Sequence, residues 1–301
     1  SSYGYNYTPM DAIAEKVNEY AGDGSAVQVT DYDIEAKLGN RLRCKVKMTV
    51  SNPENEKLRF TFDEKFEIKE ITADGKKCEY NRNGDNISLE YSSVSGKSEI
   101  GFEYEARLNY TDAMHHKINY SDINSAYLPE LFAWYPKILS KSNDIEKNFT
   151  LSISPNNTFV TNLNGNELMK REKAVITGRK KDIYIFSGYI GETALEGKKV
   201  IMPLEYINNH KAIENAKRYM KNIISHETTE YPLFIPMPQT CETPEEFEAA
   251  MEKIRKESLI PSEKIDAIDT FLFLPAGYGN LFSHYMYETN YIACEFLIGE
   301  Y

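Results

Sequence analysis

Apolar and polar residues alternate along several stretches in the first two thirds of the chain. In the clearest stretch, residues 41–50, the apolar positions are Leu42, Cys44, Val46, Met48 and Val50, and every residue between them is polar or charged. A period of two is typical of a β-strand with one face buried and the other in water. Similar alternation at 58–62, 87–91 and 100–106, with shorter signals at 149–153 and 183–186, predicts a series of strands.

Turn-forming pairs separate these predicted strands. They are Asn52-Pro53, Asp74-Gly75, Asn83-Gly84 and Ser95-Gly96, and such pairs favour reversal of the chain. Strands joined in this way, with no helical pattern between them, are typical of an antiparallel sandwich. We therefore predict one antiparallel β-sandwich over residues 31–197. The apolar phase of its strands predicts that the core includes Val46, Met48, Phe60, Leu89, Phe102 and Ile185.

After residue 198 the apolar residues recur at helical spacing instead. Ala212, Ile213, Ala216, Met220 and Ile223 predict one amphipathic helix. Thr243, Pro244 and Glu246 form a capping box with proline at the first helical position, which predicts the start of a second helix. A buried strand is predicted at 270–274. Residues 198–301 are thus an incomplete α/β domain, and residues 1–30 are an extension with a helix at 8–20. The fold class is mostly β with an α/β C-terminal part.

Composition narrows the classes of partner. The chain has 301 residues, 41% of them hydrophobic, and a formal net charge of −11, which would repel nucleic acid in the absence of a local basic patch. Its strongly apolar stretches are too short to span a bilayer. Four scattered cysteines without a CxxC pair argue against a zinc ribbon or a disulfide scaffold. Because the chain begins with Ser1, we expect any targeting or anchoring segment to lie outside it.

The sequence carries no complete catalytic or metal-binding motif. No HExxH is present, and the nearest approach is His226 with Glu227 and Glu230, which Pro232 follows almost at once. His115-His116 is a loop pair, and His284 lacks a nucleophile elbow around it. Gly277 and Gly279 lack the third glycine of a dinucleotide-binding loop. The sequence therefore predicts no catalytic residue and no metal ligand.

An aromatic cluster surrounds Phe132, Trp134 and Tyr135, with Tyr127 and Pro136 beside it. Such rings could form an exposed platform for a sugar or a peptide. They could equally plug the end of a sandwich or a domain junction. The residues alone leave both interpretations open.

The order of these elements resembles a known family. The segment 127–136, with the sequence YLPELFAWYP, and the strand FSGYI at 186–190 resemble the N-terminal half of M1-type zinc aminopeptidases, and most closely the divergent bacterial versions fused to ABC-transporter permeases. The resemblance covers roughly residues 31–280. It implies a saddle-shaped β-domain followed by the start of a thermolysin-like α/β domain.

The same resemblance implies a substrate-binding loop. The family's GAMEN loop, which anchors the peptide, corresponds to Ala276, Gly277, Tyr278, Gly279 and Asn280, and is expected to follow an edge strand. Gly279 replaces the glutamate that grips the free amino group of a peptide. The family's HExxH helix and downstream glutamate would follow, whereas this sequence ends at Tyr301. A zinc cofactor is thus implied only if a further segment supplies the ligands.

Two functions of different classes follow from the sequence. The first is the non-catalytic front part of an M1-like metallopeptidase module, a β cover and substrate-groove wall outside a bacterial membrane. The alternative is a sensor or binding ectodomain of a bacterial membrane transporter that kept the fold without the zinc chemistry. Both imply a peptide or protein ligand and a membrane-anchored parent protein, with no membrane segment and no nucleic acid partner here.

Overall fold

The computed structural model describes residues 3–4, 26–91, 95–111, 117–129, 132–140, 145–224, 240–241, 243–245, 249, 270–274 and 291–293. The strands run as follows: β1 Tyr3–Gly4, β2 Gln28–Lys37, β3 Leu42–Ser51, β4 Arg59–Thr61, β5 Glu67–Ala73, β6 Lys76–Lys77, β7 Tyr80–Asn83, β8 Asn86–Leu89, β9 Lys97–Ala106, β10 Asn109–Thr111, β11 Lys117–Asn119, β12 Ala126–Leu128, β13 Lys137–Ile138, β14 Lys147–Ser154, β15 Phe159–Thr161, β16 Ala174–Lys180, β17 Ile185–Ser187, β18 Ile190–Leu195, β19 Lys198–Pro203, β20 Thr240–Cys241, β21 Thr270–Leu274 and β22 Tyr291–Ala293. The helices are α1 Leu204–Ile207 and α2 His210–Ile224, with a 3-10 turn at Asn162–Asn164.

A seven-stranded sheet is the largest element of the fold. Its order is β16-β14-β2-β3-β9-β5-β6. Strict alternation in β3 puts its even-numbered residues in the core and Arg43, Lys45 and Lys47 in water, as its sequence pattern predicts. The pairings are antiparallel except one, because β14 runs parallel to β2. The sheet is therefore mixed, and the prediction of a purely antiparallel sandwich is wrong at this one pair.

Two smaller sheets complete the β-rich part, in the orders β13-β4-β8-β7 and β12-β17-β15. The six predicted core residues, from Val46 to Ile185, are all at most 2% exposed. Aromatic rings join facing strands, since Phe60 on β4 meets Phe102 on β9 edge to face at 5.5 Å. Such close aromatic packing adds stabilisation to the burial of apolar area itself. The predicted core is confirmed.

Turn chemistry behaves as predicted between β5 and β6. Asp74 and Gly75 both have positive φ, 50° and 80°, which is the backbone of a type I′ hairpin turn. The Asp74 carboxylate also accepts a hydrogen bond from the Glu99 backbone N–H at 2.9 Å. The side chain therefore ties this turn to the neighbouring strand β9.

A second, α/β unit comprises Tyr189–Tyr301 together with Ser1–Thr8 and Thr111–Ile118, and the β-rich unit ends at Gly188. In the α/β unit the sheet order is β18-β19-β21-β22, with β19, β21 and β22 parallel to one another. Helices α1 and α2 lie between β19 and β21 in the chain, and the buried face of α2 holds Ala212, Ala216 and Met220 as predicted. The predicted boundary at residues 197/198 instead falls in the β18–β19 hairpin turn, where Glu196 and Gly197 have positive φ.

Further predictions concern the cysteines, a membrane span and two helices. Cys44 and Cys78 are free and buried, and burial raises the pKa of Cys44 to about 12, so this thiol is unreactive at neutral pH. No described helix is long and apolar enough to cross a membrane. The predicted helix at 8–20 and most of the second α/β helix lie outside the described residues.

Candidate functional site

The predicted substrate loop, Ala276, Gly277, Tyr278, Gly279 and Asn280, lies outside the described residues. The strand that leads into it, β21, is described. Leu272 pairs with Ile201 of β19 on one side and with Tyr291 of β22 on the other. The expectation that the loop follows an edge strand is therefore wrong. At Leu272 the strand β21 is therefore internal to the sheet, with a neighbouring strand on each side.

The predicted aromatic platform is absent. Phe132, Trp134 and Tyr135 are each 0% exposed, so none of these rings can stack on a ligand from solvent. Trp134 packs edge to face on Tyr135 at 4.8 Å, and Phe132 stacks on Tyr120 at 4.7 Å. Of the two interpretations that the sequence left open, the cluster is a buried plug of the β-rich unit.

Backbone carbonyls explain why this short segment stays inside. The Tyr104 hydroxyl donates to the Trp134 carbonyl at 2.7 Å, and the Tyr32 hydroxyl donates to the Pro136 carbonyl at 2.8 Å. An irregular segment in a core carries carbonyls that strands would otherwise satisfy. Here the phenols of neighbouring strands satisfy them.

A buried charge pair adjoins the plug. Lys137 is 3% exposed, and its Nζ lies 2.8 Å from Asp182 Oδ1 and 4.6 Å from the centroid of the Tyr135 ring. The Tyr135 hydroxyl donates to the same carboxylate at 2.7 Å. Burial, followed by the charge of Asp182, raises the pKa of Tyr135 well above the usual range. The Lys137 side chain is 4% exposed and that of Asp182 is 19% exposed, so the network holds the plug in place from a partly buried position.

Sequence reasoning missed this pair. The signal available was a lysine inside the apolar run Tyr135-Pro136-Lys137-Ile138-Leu139. A buried lysine needs a partner carboxylate, but nothing local points to Asp182, which lies 45 residues further along.

The candidate metal ligands His226 and Glu230 lie outside the described residues, as do Glu227, His115, His116 and His284. Across the parts of the chain that the structure describes, no three or more His, Cys, Asp or Glu side chains cluster in a way that could hold a metal ion. The absence of a zinc site remains a prediction.

Within the described residues, a groove of about 740 Å³ lies on the water-facing side of the seven-stranded sheet. Strands β16, β14, β2, β3, β9 and β5 all contribute to its lining. We call it the sheet groove. Charged side chains project from its floor, with Glu35, Lys45 and Glu103 in one row across the sheet and Lys37, Arg43 and Glu105 in the next. Nothing in the sequence pattern distinguishes it, because water-facing charges occur on any half-exposed sheet.

Comparison with known proteins finds no matching family model and no matching curated protein. Solved structures that the chain resembles include the aminopeptidase N family protein from Idiomarina loihiensis, at 12% identity and a TM-score of 0.48, covering 81% of this chain and 38% of that one. An M1 zinc metallopeptidase from Deinococcus radiodurans matches at 9% identity and a TM-score of 0.43, covering 83% and 56%. Native leukotriene A4 hydrolase from Saccharomyces cerevisiae matches at 11% identity and a TM-score of 0.44, covering 71% and 36%.

These matches are similar in architecture only. This chain spans between about a third and just over half of the length of the solved proteins it matches. At such identity and overlap no residue of the matched proteins is assigned a counterpart here.

Proposed function

We propose that this chain is the β cover and substrate-groove wall of an M1-like metallopeptidase module, acts by binding rather than by catalysis, and works outside the cytoplasm. The order of elements supports this. A β-rich unit ends at Gly188, and a hairpin, a helix and the buried strand β21 follow before segment 276–280. This is the succession that the sequence resemblance implies.

The absence of catalysis is tested by zinc content and hydrolysis. After dialysis without metal, we expect no stoichiometric zinc by elemental analysis and no release of p-nitroaniline from aminoacyl p-nitroanilides, because ligands and general base are missing together. Stoichiometric zinc that is lost in His226→Ala and in Glu230→Gln would overturn the proposal. The parallel measurement on Lys211→Ala controls for damage unrelated to those ligands.

The groove-wall role is tested at Gly279. Wild-type protein should bind extended peptides weakly and equally whether the amino terminus is free or acetylated, since no carboxylate is available for the ammonium. Gly279→Glu should favour the free peptide by about five- to ten-fold, the scale of a charge-assisted hydrogen bond. Gly279→Gln has the same shape without the charge and is the matched control. If the two variants bind both peptides alike in calorimetric titration, the analogy to the peptidases fails.

The sheet groove supports the second candidate, a sensor or binding ectodomain of a bacterial membrane transporter. It is a concavity lined by charged side chains, and two of its cations, Lys37 and Lys173, form no ion pair within the described residues. The parent gene distinguishes the candidates: an HExxH helix soon after this segment favours the peptidase module, and a membrane span favours the ectodomain.

A further inference from the structure

The sheet groove concentrates positive charge along one side, in a chain whose net charge is −11. Its lining contains Lys37, Arg43, Lys45, Lys69 and Lys173 but only three carboxylates, from Glu35, Glu103 and Glu105. Four of the five cations lie on the side where Lys37, Arg43 and Glu105 share a row. The groove therefore has a local excess of positive charge, although the net charge of the chain is negative.

The pairing across this row leaves cations unmatched. Lys37 lies directly opposite Arg43 on the neighbouring strand, an arrangement of like charges that destabilises a sheet. Glu105 is already shared, because its carboxylate is 3.3 Å from Arg41, 3.2 Å from Arg43 and 3.5 Å from Lys69. Among the described residues neither Lys37 nor Lys173 forms an ion pair.

The shape of the groove limits what can fill it. Six strands line it, and five spacings of about 4.8 Å make it roughly 24 Å long. An extended peptide advances about 3.3 Å per residue, so about seven residues fit. Val175, 70% exposed on β16, offers an apolar contact at one edge.

The lining also disfavours other polyanions. The only aromatic ring among the lining residues belongs to Tyr104, which is 1% exposed, so bases would find no ring to stack on. Glu35 and Glu103 are exposed in the middle of the groove and would repel an unbroken anionic surface. A flat bilayer also cannot follow a concave face.

We propose that the sheet groove binds an extended acidic peptide segment of about seven residues, whose carboxylates are held by Lys37 and Lys173. Arg43 already pairs with Glu105 at 3.2 Å and Lys69 with Glu67 at 2.9 Å, so these two cations add positive charge beside the bound segment. The site is built entirely from the β-rich unit. It is independent of segment 276–280, so this proposal and the peptidase-module proposal fail separately.

The test is fluorescence anisotropy with three labelled heptapeptides of alternating serine with glutamate, glutamine or lysine. The glutamate peptide should bind at least about ten-fold more tightly than the other two, and binding should weaken as sodium chloride rises from about 20 mM to about 300 mM. Lys37→Glu/Lys173→Glu should lower its affinity about ten-fold or more, and Lys37→Gln/Lys173→Gln should give a smaller loss.

The matched control is Lys76→Glu/Lys77→Glu on β6, which makes the same change in net charge at exposed residues outside the groove. It should bind within about two-fold of wild type. Equal loss in both double variants, or equal binding of the three peptides, overturns the proposal. So does the finding that phosphatidylserine vesicles, and not the glutamate peptide, bind through Lys37 and Lys173. Thermal unfolding of every variant verifies that it is folded.

Discussion

At the scale of single residues, Asp182 is the charge on which the buried plug depends. Its carboxylate accepts from Tyr135 and pairs with Lys137, whose side chain is 4% exposed. Asp182→Asn keeps the shape but removes the carboxylate charge that lies 2.8 Å from Lys137 Nζ. We expect the free energy of unfolding of the β-rich unit to fall by about 2–4 kcal/mol. The single tryptophan, Trp134, is buried in this unit, so its fluorescence in a urea titration measures the loss.

Glu146→Gln is the control for Asp182. This carboxylate pairs with Arg179 at 3.3 Å, but both side chains are more than half exposed, and exposed pairs contribute at most about 1 kcal/mol. The free energy of unfolding should fall more in Asp182→Asn than in Glu146→Gln. If the two decreases are equal, Lys137 reaches water or another partner in the variant.

At the scale of elements, the packing of β16 against the 3-10 turn depends on Gly178. A Cβ at this residue would lie 2.7 Å from the Leu163 carbonyl oxygen and 2.8 Å from Leu163 Cδ1. The nearest of these atoms, the Leu163 carbonyl oxygen, belongs to the backbone and cannot change rotamer. The Cβ of Gly178→Ala therefore displaces either the 3-10 turn or β16. We expect it to lower the free energy of unfolding of the β-rich unit by about 1–3 kcal/mol, measured by Trp134 fluorescence in urea.

Gly101 on β9 offers the matched substitution in the same sheet. Its added Cβ would lie 2.5 Å from Thr72 Oγ1, the end of a side chain that can change rotamer. Gly101→Ala should therefore lower the free energy of unfolding by less than Gly178→Ala does, and by under about 1 kcal/mol. The opposite order would mean that the 3-10 turn adapts more easily than the threonine.

At the scale of the whole molecule, three buried tyrosines predict how stability depends on pH. Burial is the largest cause that raises the pKa of Tyr32, Tyr104 and Tyr135 well above the usual range. In the unfolded chain each titrates near pH 10. Their contribution to stability is therefore complete below about pH 10 and is lost as the pH rises towards the native pKa values, by up to about 1.4 kcal/mol per pH unit for each tyrosine.

Urea unfolding at a series of pH values from about 8 to 11.5 measures this loss. Tyr32→Phe should reduce the slope above pH 10, whereas Tyr189→Phe, at a 65% exposed position, should leave it unchanged. Absorbance at about 295 nm should show these phenols ionising only as the protein unfolds. Ionisation of all 22 tyrosines before unfolding would contradict the prediction.

The sequence by itself determined the alternating strands β3, β4, β8 and β9, their buried faces and the helix α2. Alternation in β3 and β9 and helical spacing in α2 are local consequences of the pleat and of the helical turn, so Val46, Phe102 and Ala216 could be assigned to the core without knowing their neighbours. The Asp74-Gly75 turn was equally predictable, because few residues adopt positive φ.

Only the tertiary structure decided what meets across long separations in the chain. The parallel pairing of β14 with β2 joins residues 117 apart, and such pairings depend on the packing of whole sheets rather than on periodicity. The same reason applies to three further features that were not predictable from the sequence. They are the burial of Phe132, Trp134 and Tyr135, the Lys137–Asp182 pair, and the internal position of β21. The sheet groove belongs to this class too, since Lys37, Arg43 and Lys173 become one surface only when β2, β3 and the segment before β16 lie on one sheet.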